Sequence, residues 1–275
     1  MAALPRVGLI VTGGTIDSVG TDRLDLAWYI EAGKRLNDGE LLSRIPELKN
    51  IAAIQEVSFR RLPSHALVDK DWLELLRTVH AIFDDYRTDG IVITHGTNTL
   101  EETAYFLNLT LKTDKPVVVV GSMRPSSAIS ADGYLNLVNA VKVAADPGSR
   151  GRGCLVVMND TIYNARDVTK NSTYRVDAFQ SRDMGPLGFA DADGKIIYYR
   201  RYPADVRHLL IGPDTIRQYN TQRVTKEKTR ESGFGREEWL GGYAPGHRAG
   251  RRRDLRRQVR GHRYQRHAPG RQTGD

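Results

Sequence analysis

The sequence predicts an α/β protein, a mostly parallel sheet covered by helices on both faces. Three observations carry this: short continuous apolar runs rich in Val and Ile, amphipathic stretches of helical period between them, and glycine- or hydroxyl-bearing segments where the runs end. Strand, helix and strand in succession imply right-handed crossovers, which set helices against both faces of the sheet. With 275 residues, 40% apolar and 27% charged, the chain has the composition of a globular protein able to bury a sizeable core.

The strand-like runs occupy residues 7–11, 51–59, 90–94, 116–120 and 154–158. The clearest helix spans about 70–86, where Trp72, Leu75, Leu76, Val79, Ile82, Phe83 and Tyr86 recur at three- and four-residue steps. Glu74, Arg77, Asp84 and Asp85 take its other face, and Asp69 is the expected N-cap. A second helix starts near Thr99, where Thr99-Leu100-Glu101-Glu102 has capping-box spacing, and continues through Ala104, Leu107 and Leu111. A third covers 133–145, with Leu137, Val141 and Ala144 as its inner stripe.

In sheets of this kind ligands bind beyond the carboxyl ends of the strands. The first run ends in Thr12-Gly13-Gly14-Thr15-Ile16, the third in Thr94-His95-Gly96-Thr97-Asn98-Thr99, the fourth in Gly121-Ser122-Met123-Arg124-Pro125 and the fifth in Asn159-Asp160-Thr161. Each alone is ordinary turn chemistry; four converging on one sheet edge predict a polar site.

Several chemistries lose their support. Gly13-Gly14 is not a Gly-x-Gly-x-x-Gly fingerprint, and there is no P-loop, His-Glu-x-x-His or Gly-x-Ser-x-Gly motif. No metal site or cofactor is expected, and threonine remains as the candidate nucleophile. The single cysteine, Cys154, lies in an apolar run and reads as a buried core thiol. With neither a basic, cleavable leader nor a stretch of ~18 apolar residues, the expectation is a cytoplasmic protein with no membrane partner.

The basic charge is confined to one end. Residues 1–206 hold 24 Lys+Arg against 26 Asp+Glu, whereas residues 207–275 hold 17 against 7. The predicted division is therefore a domain at 1–206 and a basic tail at 207–275. Residues 248–275 contain ten arginines in 28 positions and scarcely an apolar side chain, a composition that does not build a core. Two readings of the tail stay open: a nucleic-acid arm binding phosphates through its arginines, and a truncated or out-of-frame C-terminus.

The motifs, taken together, resemble the bacterial-type L-asparaginases, amidohydrolases that convert L-asparagine to L-aspartate and ammonia. Thr12-Gly13-Gly14-Thr15-Ile16 resembles the first signature of that family and residues 90–107 the second. Residues 115–132, Asn159-Asp160-Thr161, Arg166-Asp167-Val168-Thr169-Lys170 and Gly185-Pro186-Leu187-Gly188 continue the likeness in order, from about residue 6 to about 203. The resemblance implies a Rossmann-like or flavodoxin-like N-terminal domain, with the family's smaller C-terminal α/β domain missing or replaced. It implies Thr15 as nucleophile, Tyr29 as the lid residue that polarises or deprotonates it, and Thr97 with Lys170 as a second hydroxyl and amine. Ser64, His65, Thr97, Asn98 and Ser122 are implied as substrate-binding residues, and His95 as structural. The substrate is L-asparagine, with L-glutamine as the alternative amide, and a homo-oligomer is expected from the family.

Two departures accompany the likeness. Where the family has aspartate and glutamine, this chain has Asn98 and His65. Exchanging a charge-assisted contact for a neutral hydrogen bond is expected to weaken amino-acid recognition by about one to two orders of magnitude. The family's tetramer also completes each site with a glutamate from a neighbouring subunit's smaller domain, a role matched by none of Glu227, Glu231, Glu237 and Glu238. The rival readings are a catalytically impaired, amino-acid-binding protein of the same fold and a nucleic-acid-associated protein acting through its tail.

Overall fold

The structure, a computed structural model, describes residues 3–200. The expected boundary near residue 206 and the arginine-rich tail lie outside the described residues. An eight-stranded sheet runs through the described part: β1 (Arg6–Val11), β2 (Ala53–Ser58), β3 (Gly90–Thr94), β4 (Val117–Val120), β5 (Cys154–Met158), β6 (Thr161–Asn164), β7 (Gly188–Ala190) and β8 (Ile196–Tyr198). Their order is β2-β1-β3-β4-β5-β6-β7-β8. The first five strands are parallel, and the last three are added antiparallel.

Alternation of side chains sorts the strands onto two cores. Val7, Leu9 and Val11 of β1 face one side with Val92, Val118, Val120, Leu155 and Val157; Ile10 faces the other with Ile91, Ile93, Val117, Val119 and Val156. Both sets are needed because helices cover both faces. The helix α1 (Asp69–Asp85) packs Leu75, Leu76, Val79, Ile82 and Phe83 into one core, joined by Leu100, Ala104 and Leu107 of α2 (Leu100–Thr110). The helix α3 (Gly133–Ala145) packs Leu137, Ala140, Val141 and Ala144 into the other. Cys154 is buried, as its apolar run predicts.

Three local expectations are corrected. Asp69 is the first helical residue of α1, not its cap; Val68 occupies the cap, and its N–H donates to the Asp71 carboxylate at 3.0 Å. Thr99 does precede α2, but its hydroxyl caps nothing and donates to the Ser64 carbonyl at 2.8 Å. The end of β5 does not join a polar site. Asn159 and Asp160 both adopt positive φ, 50° and 61°, as the two central residues of a hairpin that returns the chain as β6. Their polar groups are bound to α3: the Asn159 N–H donates to Asn136 Oδ1 at 2.9 Å, and Asp160 accepts from Asn139 at 2.8 Å.

Candidate active site

The parallel strands stand in the order 2-1-3-4-5 by sequence, so the topology reverses between β1 and β3. In such sheets the crevice opens at that reversal. There the two strand ends are first tied together: the Thr12 hydroxyl donates to the Thr94 carbonyl at 2.7 Å. Gly14 follows with φ 106°, a region side chains avoid, and a Cβ on it would come within 2.7 Å of the Gly96 backbone. A Cβ on Gly96 would in turn meet the Ser64 hydroxyl at 2.8 Å. Three loops therefore stack through two glycines and Ser64. Thr15, Thr97 and Ser64 line one cavity of about 170 Å³.

Thr15 opens a short 3₁₀ turn, Thr15–Asp17. Asp17 is buried beneath it, with Arg35 at 3.1 Å and Arg61 at 3.7 Å. Burial pushes its carboxyl above the ordinary range against the pull of both arginines. The segment then forms a two-stranded ladder, Ser18–Val19 with Lys34–Arg35, joined by a loop. Asp25 knits that loop by accepting the Thr21 and Trp28 N–H groups at 3.0 and 2.9 Å. At its end the short helix Tyr29–Ala32 turns Tyr29 inward, 8% exposed, while Trp28 and Ile30 stand 70% and 71% exposed. The Tyr29 hydroxyl lies 3.0 Å from that of Thr15. Burial raises the phenol's pKa, and the Asp132 and Asp25 carboxylates add to the effect, so Tyr29 is held protonated.

A second pair, a hydroxyl with an amine, lines the same cavity. Lys170 Nζ donates to Thr97 Oγ1 at 2.7 Å. Lys170 ends a short strand, Thr169–Lys170, paired antiparallel with Phe179–Gln180. Its backbone N–H donates to the carboxylate of Glu101 in the first turn of α2. Burial lowers the Lys170 pKa while Glu101 pulls it the other way; burial in turn raises that of Glu101.

Behind the β3 loop, His95 is fully buried. Its Nδ1 sits 2.8 Å from the Gly96 carbonyl, which only accepts, so Nδ1 carries a proton. Burial pushes its pKa down to about 4, leaving the ring neutral and Nε2 an acceptor. The Thr103 hydroxyl, 2.9 Å away, donates to it and accepts from Trp72 Nε1, also at 2.9 Å. This chain from α1 through α2 holds the turn that carries Thr97.

Of the residues expected at the site, Thr15, Tyr29, Ser64, His65, Thr97, Asn98 and Lys170 line the cavity and Ser122 does not. Ser122 is fully buried, its hydroxyl donating to the Arg124 carbonyl at 2.8 Å, and Met123 takes the lining position. The departures at 65 and 98 face each other: the Asn98 amide nitrogen is 3.5 Å from His65 Nδ1. Asp17, Glu101, Thr103 and Asp132 are the supports that sequence reasoning missed. Glu101 is one of two glutamates in the first turn of α2, and only the return of the chain 69 positions later gives it a backbone partner. Among the described residues no group of three or more His, Cys, Asp or Glu is placed to hold a metal, and no helix is long and apolar enough to cross a membrane.

Residues 6–204 match the family model described as asparaginase, N-terminal. The chain is 48% identical over 198 residues to L-asparaginase 2 of Escherichia coli (strain K12), covering 72% of this chain and 55% of that protein. It is 48% identical over 199 residues to a Haemophilus influenzae protein named "Probable L-asparaginase periplasmic", covering 72% and 55%. A crystal structure described as a "Probable Cytoplasmic L-asparaginase from Campylobacter jejuni" aligns with a TM-score of 0.68 at 41% identity, covering 72% of this chain and 59% of that one. The chain spans about half the length of the curated relatives it matches.

Proposed function

Because the chain belongs to the asparaginase family through its N-terminal domain, we propose that it is an amidohydrolase converting L-asparagine to L-aspartate and ammonia, with L-glutamine as a second substrate. The observation that carries this reading is the presence of two pairs, the hydroxyls of Thr15 and Tyr29 and the hydroxyl of Thr97 with the amine of Lys170, on the walls of one cavity at the topological switch point.

In this reading Thr15 Oγ attacks the amide carbon. Tyr29 is protonated, so it serves by hydrogen bonding to the Thr15 hydroxyl and relaying its proton, not as a phenolate base. Lys170 is the group able to hold a free base, because burial lowers its pKa; it takes the proton through Thr97 or a water. Backbone N–H groups near Thr15 and Thr97 are the candidates to stabilise the oxyanion. Ser64, His65, Thr97 and Asn98 hold the rest of the substrate. Residues 1–206 form the catalytic domain, the chain works in the cytoplasm, and it assembles as a homo-oligomer; cell fractionation and light scattering test the last two.

The decisive test is ammonia release from saturating L-asparagine by the purified full chain, with a cooperative melt showing that the preparation is folded. Turnover abolished in Thr15→Ala supports the assignment, and turnover retained in that variant removes Thr15 as nucleophile. Asn98 favours one rival, an amino-acid binder without turnover. That reading predicts stabilisation by L-asparagine in a folded preparation that releases no ammonia.

A further inference from the structure

Glu101 stands outside the cavity wall, yet it joins the two segments that carry Thr97 and Lys170. The loop after β3 carries Thr97 and α2 starts at Leu100, so Glu101 sits in the first helical turn of the same short stretch. A carboxylate is favoured there by the helix dipole. It accepts the Lys170 backbone N–H and the Thr169 hydroxyl, while Lys170 Nζ reaches back to Thr97 Oγ1 at 2.7 Å. The contacts close a ring: from Thr97 along the chain to Glu101, across to the Lys170 backbone, and out along the lysine side chain to Thr97. Both ends of a long, flexible side chain are thereby fixed, which lowers the entropy lost when it is placed for reaction. Its strand gives little support of its own, since Thr169–Lys170 pairs with Phe179–Gln180 over two residues.

The ring also sets a charge beside the amine. Burial lowers the proton affinity of Lys170, and the Glu101 carboxylate raises it. Tyr29, Lys34, Arg35 and His65 share the cavity with Lys170; Arg166, Asp167, Arg182 and Asp183 share a second, open hollow with it. Glu102, next to Glu101 on α2, is exposed. All of these remain in place when Glu101 is changed, so a comparison at that one position isolates its effect. Resting on the assignment of Lys170 as base above, we infer that Glu101 is a positioning residue of the hydrolysis. It clamps the strand end that carries Lys170, so that the amine meets Thr97 beside a carboxylate charge.

The test is the pH dependence of kcat/KM for ammonia release from L-asparagine by the full chain and by Glu101→Gln, each shown to be folded by a cooperative melt. Glutamine keeps an acceptor oxygen for the Lys170 N–H and the Thr169 hydroxyl but carries no charge, so a purely structural anchor would leave the acid limb where it is. The limb should instead move to lower pH by about one unit, with KM changing less than about twofold because Glu101 does not touch the substrate. In Glu101→Ala, which removes the anchor as well, kcat should fall about a hundredfold. An unmoved limb in Glu101→Gln, or full kcat in Glu101→Ala, overturns the inference. A second readout does not depend on turnover: the Lys170 amine is titrated by nuclear magnetic resonance of isotope-labelled lysine, its signal assigned by loss in Lys170→Arg. That signal should titrate at lower pH in Glu101→Gln than in the unmodified chain, and titration at the same pH in both overturns the inference. If no ammonia is released while the signal still shifts, the amidohydrolase reading falls and the hold of Glu101 on Lys170 stands.

Discussion

Lowering the pH from 7 to 5 should remove about 2 kcal/mol of stability through His95 alone. The imidazole titrates at about 4 in the folded chain and near 6.5 when unfolded, so between those values the unfolded state binds a proton that the native state excludes. Stability is then fully present above pH 6.5 and is lost as the pH falls towards 4, by roughly 3 kcal/mol over the whole interval at ~1.4 kcal/mol per pKa unit. Because the ring is completely buried, solvent screening does not reduce that figure much. Asp17, Glu101 and Asp132 act with the opposite sign, since burial raises their pKa values and each gains a proton more readily in the native state. The comparison that isolates His95 is therefore urea denaturation of the unmodified chain and His95→Gln at pH 7 and pH 5. Glutamine retains a donor for the Gly96 carbonyl and an acceptor for Thr103 but does not titrate. Loss of stability in the unmodified chain exceeding that in His95→Gln by about 2 kcal/mol is the expected result; equal losses would refute a buried neutral imidazole.

Asn98→Asp should raise kcat/KM for L-asparagine by about one to two orders of magnitude, the gain of a charge-assisted over a neutral hydrogen bond. Because His65 is the neighbour of that position, the gain should be larger in Asn98→Asp combined with His65→Gln, as steady-state kinetics on the two variants will read. Lys170→Arg keeps the charge but cannot give it up, so kcat should fall by about two orders of magnitude or more. In the unmodified chain, activity should be lost as the pH drops through a Lys170 pKa below its ordinary 10.5, a limb visible in a kcat/KM profile and absent from Lys170→Arg. Gly14→Ala would force a Cβ to 2.7 Å from the Gly96 backbone at φ 106°. Displacing Thr15 by about 1 Å would cost about a hundredfold in kcat, while the far-ultraviolet circular dichroism stays unchanged.

Much of the frame is legible without coordinates because it depends on local pattern. The run 90–94 is a strand over those same residues, and 133–145 is a helix over those same residues, since five β-branched or small residues and a 3.6-residue apolar period each leave one good backbone choice. The hairpin after β5 was not legible. A continuous apolar strand reads the same whether its next neighbour is parallel or antiparallel, and Asn159-Asp160 reads as any polar turn until both φ values turn positive. The capping role expected of Thr99 failed for a related reason: its hydroxyl found a better acceptor in Ser64, 35 positions away.

At the site, residue types left threonine as the candidate nucleophile, and it was the likeness to the asparaginase motifs that pointed to Thr15, Thr97 and Lys170 in particular. Their pairing is not local. Thr97 meets Lys170 across 73 positions, and Asn98 meets His65 across 33. Trp28 and Tyr29 are adjacent in the sequence, and one helical turn buries the second and exposes the first. Ser122 has the right hydroxyl in the right segment, yet its side chain bonds the Arg124 carbonyl and turns from the cavity. The sequence by itself thus determined which elements form and which chemistry the strand ends carry, through periodicity and residue type. Only the tertiary structure decided which side chains meet and which carboxylates are withdrawn from the cavity. Those outcomes depend on side-chain directions fixed by the packing of segments distant in the chain, which no local pattern encodes.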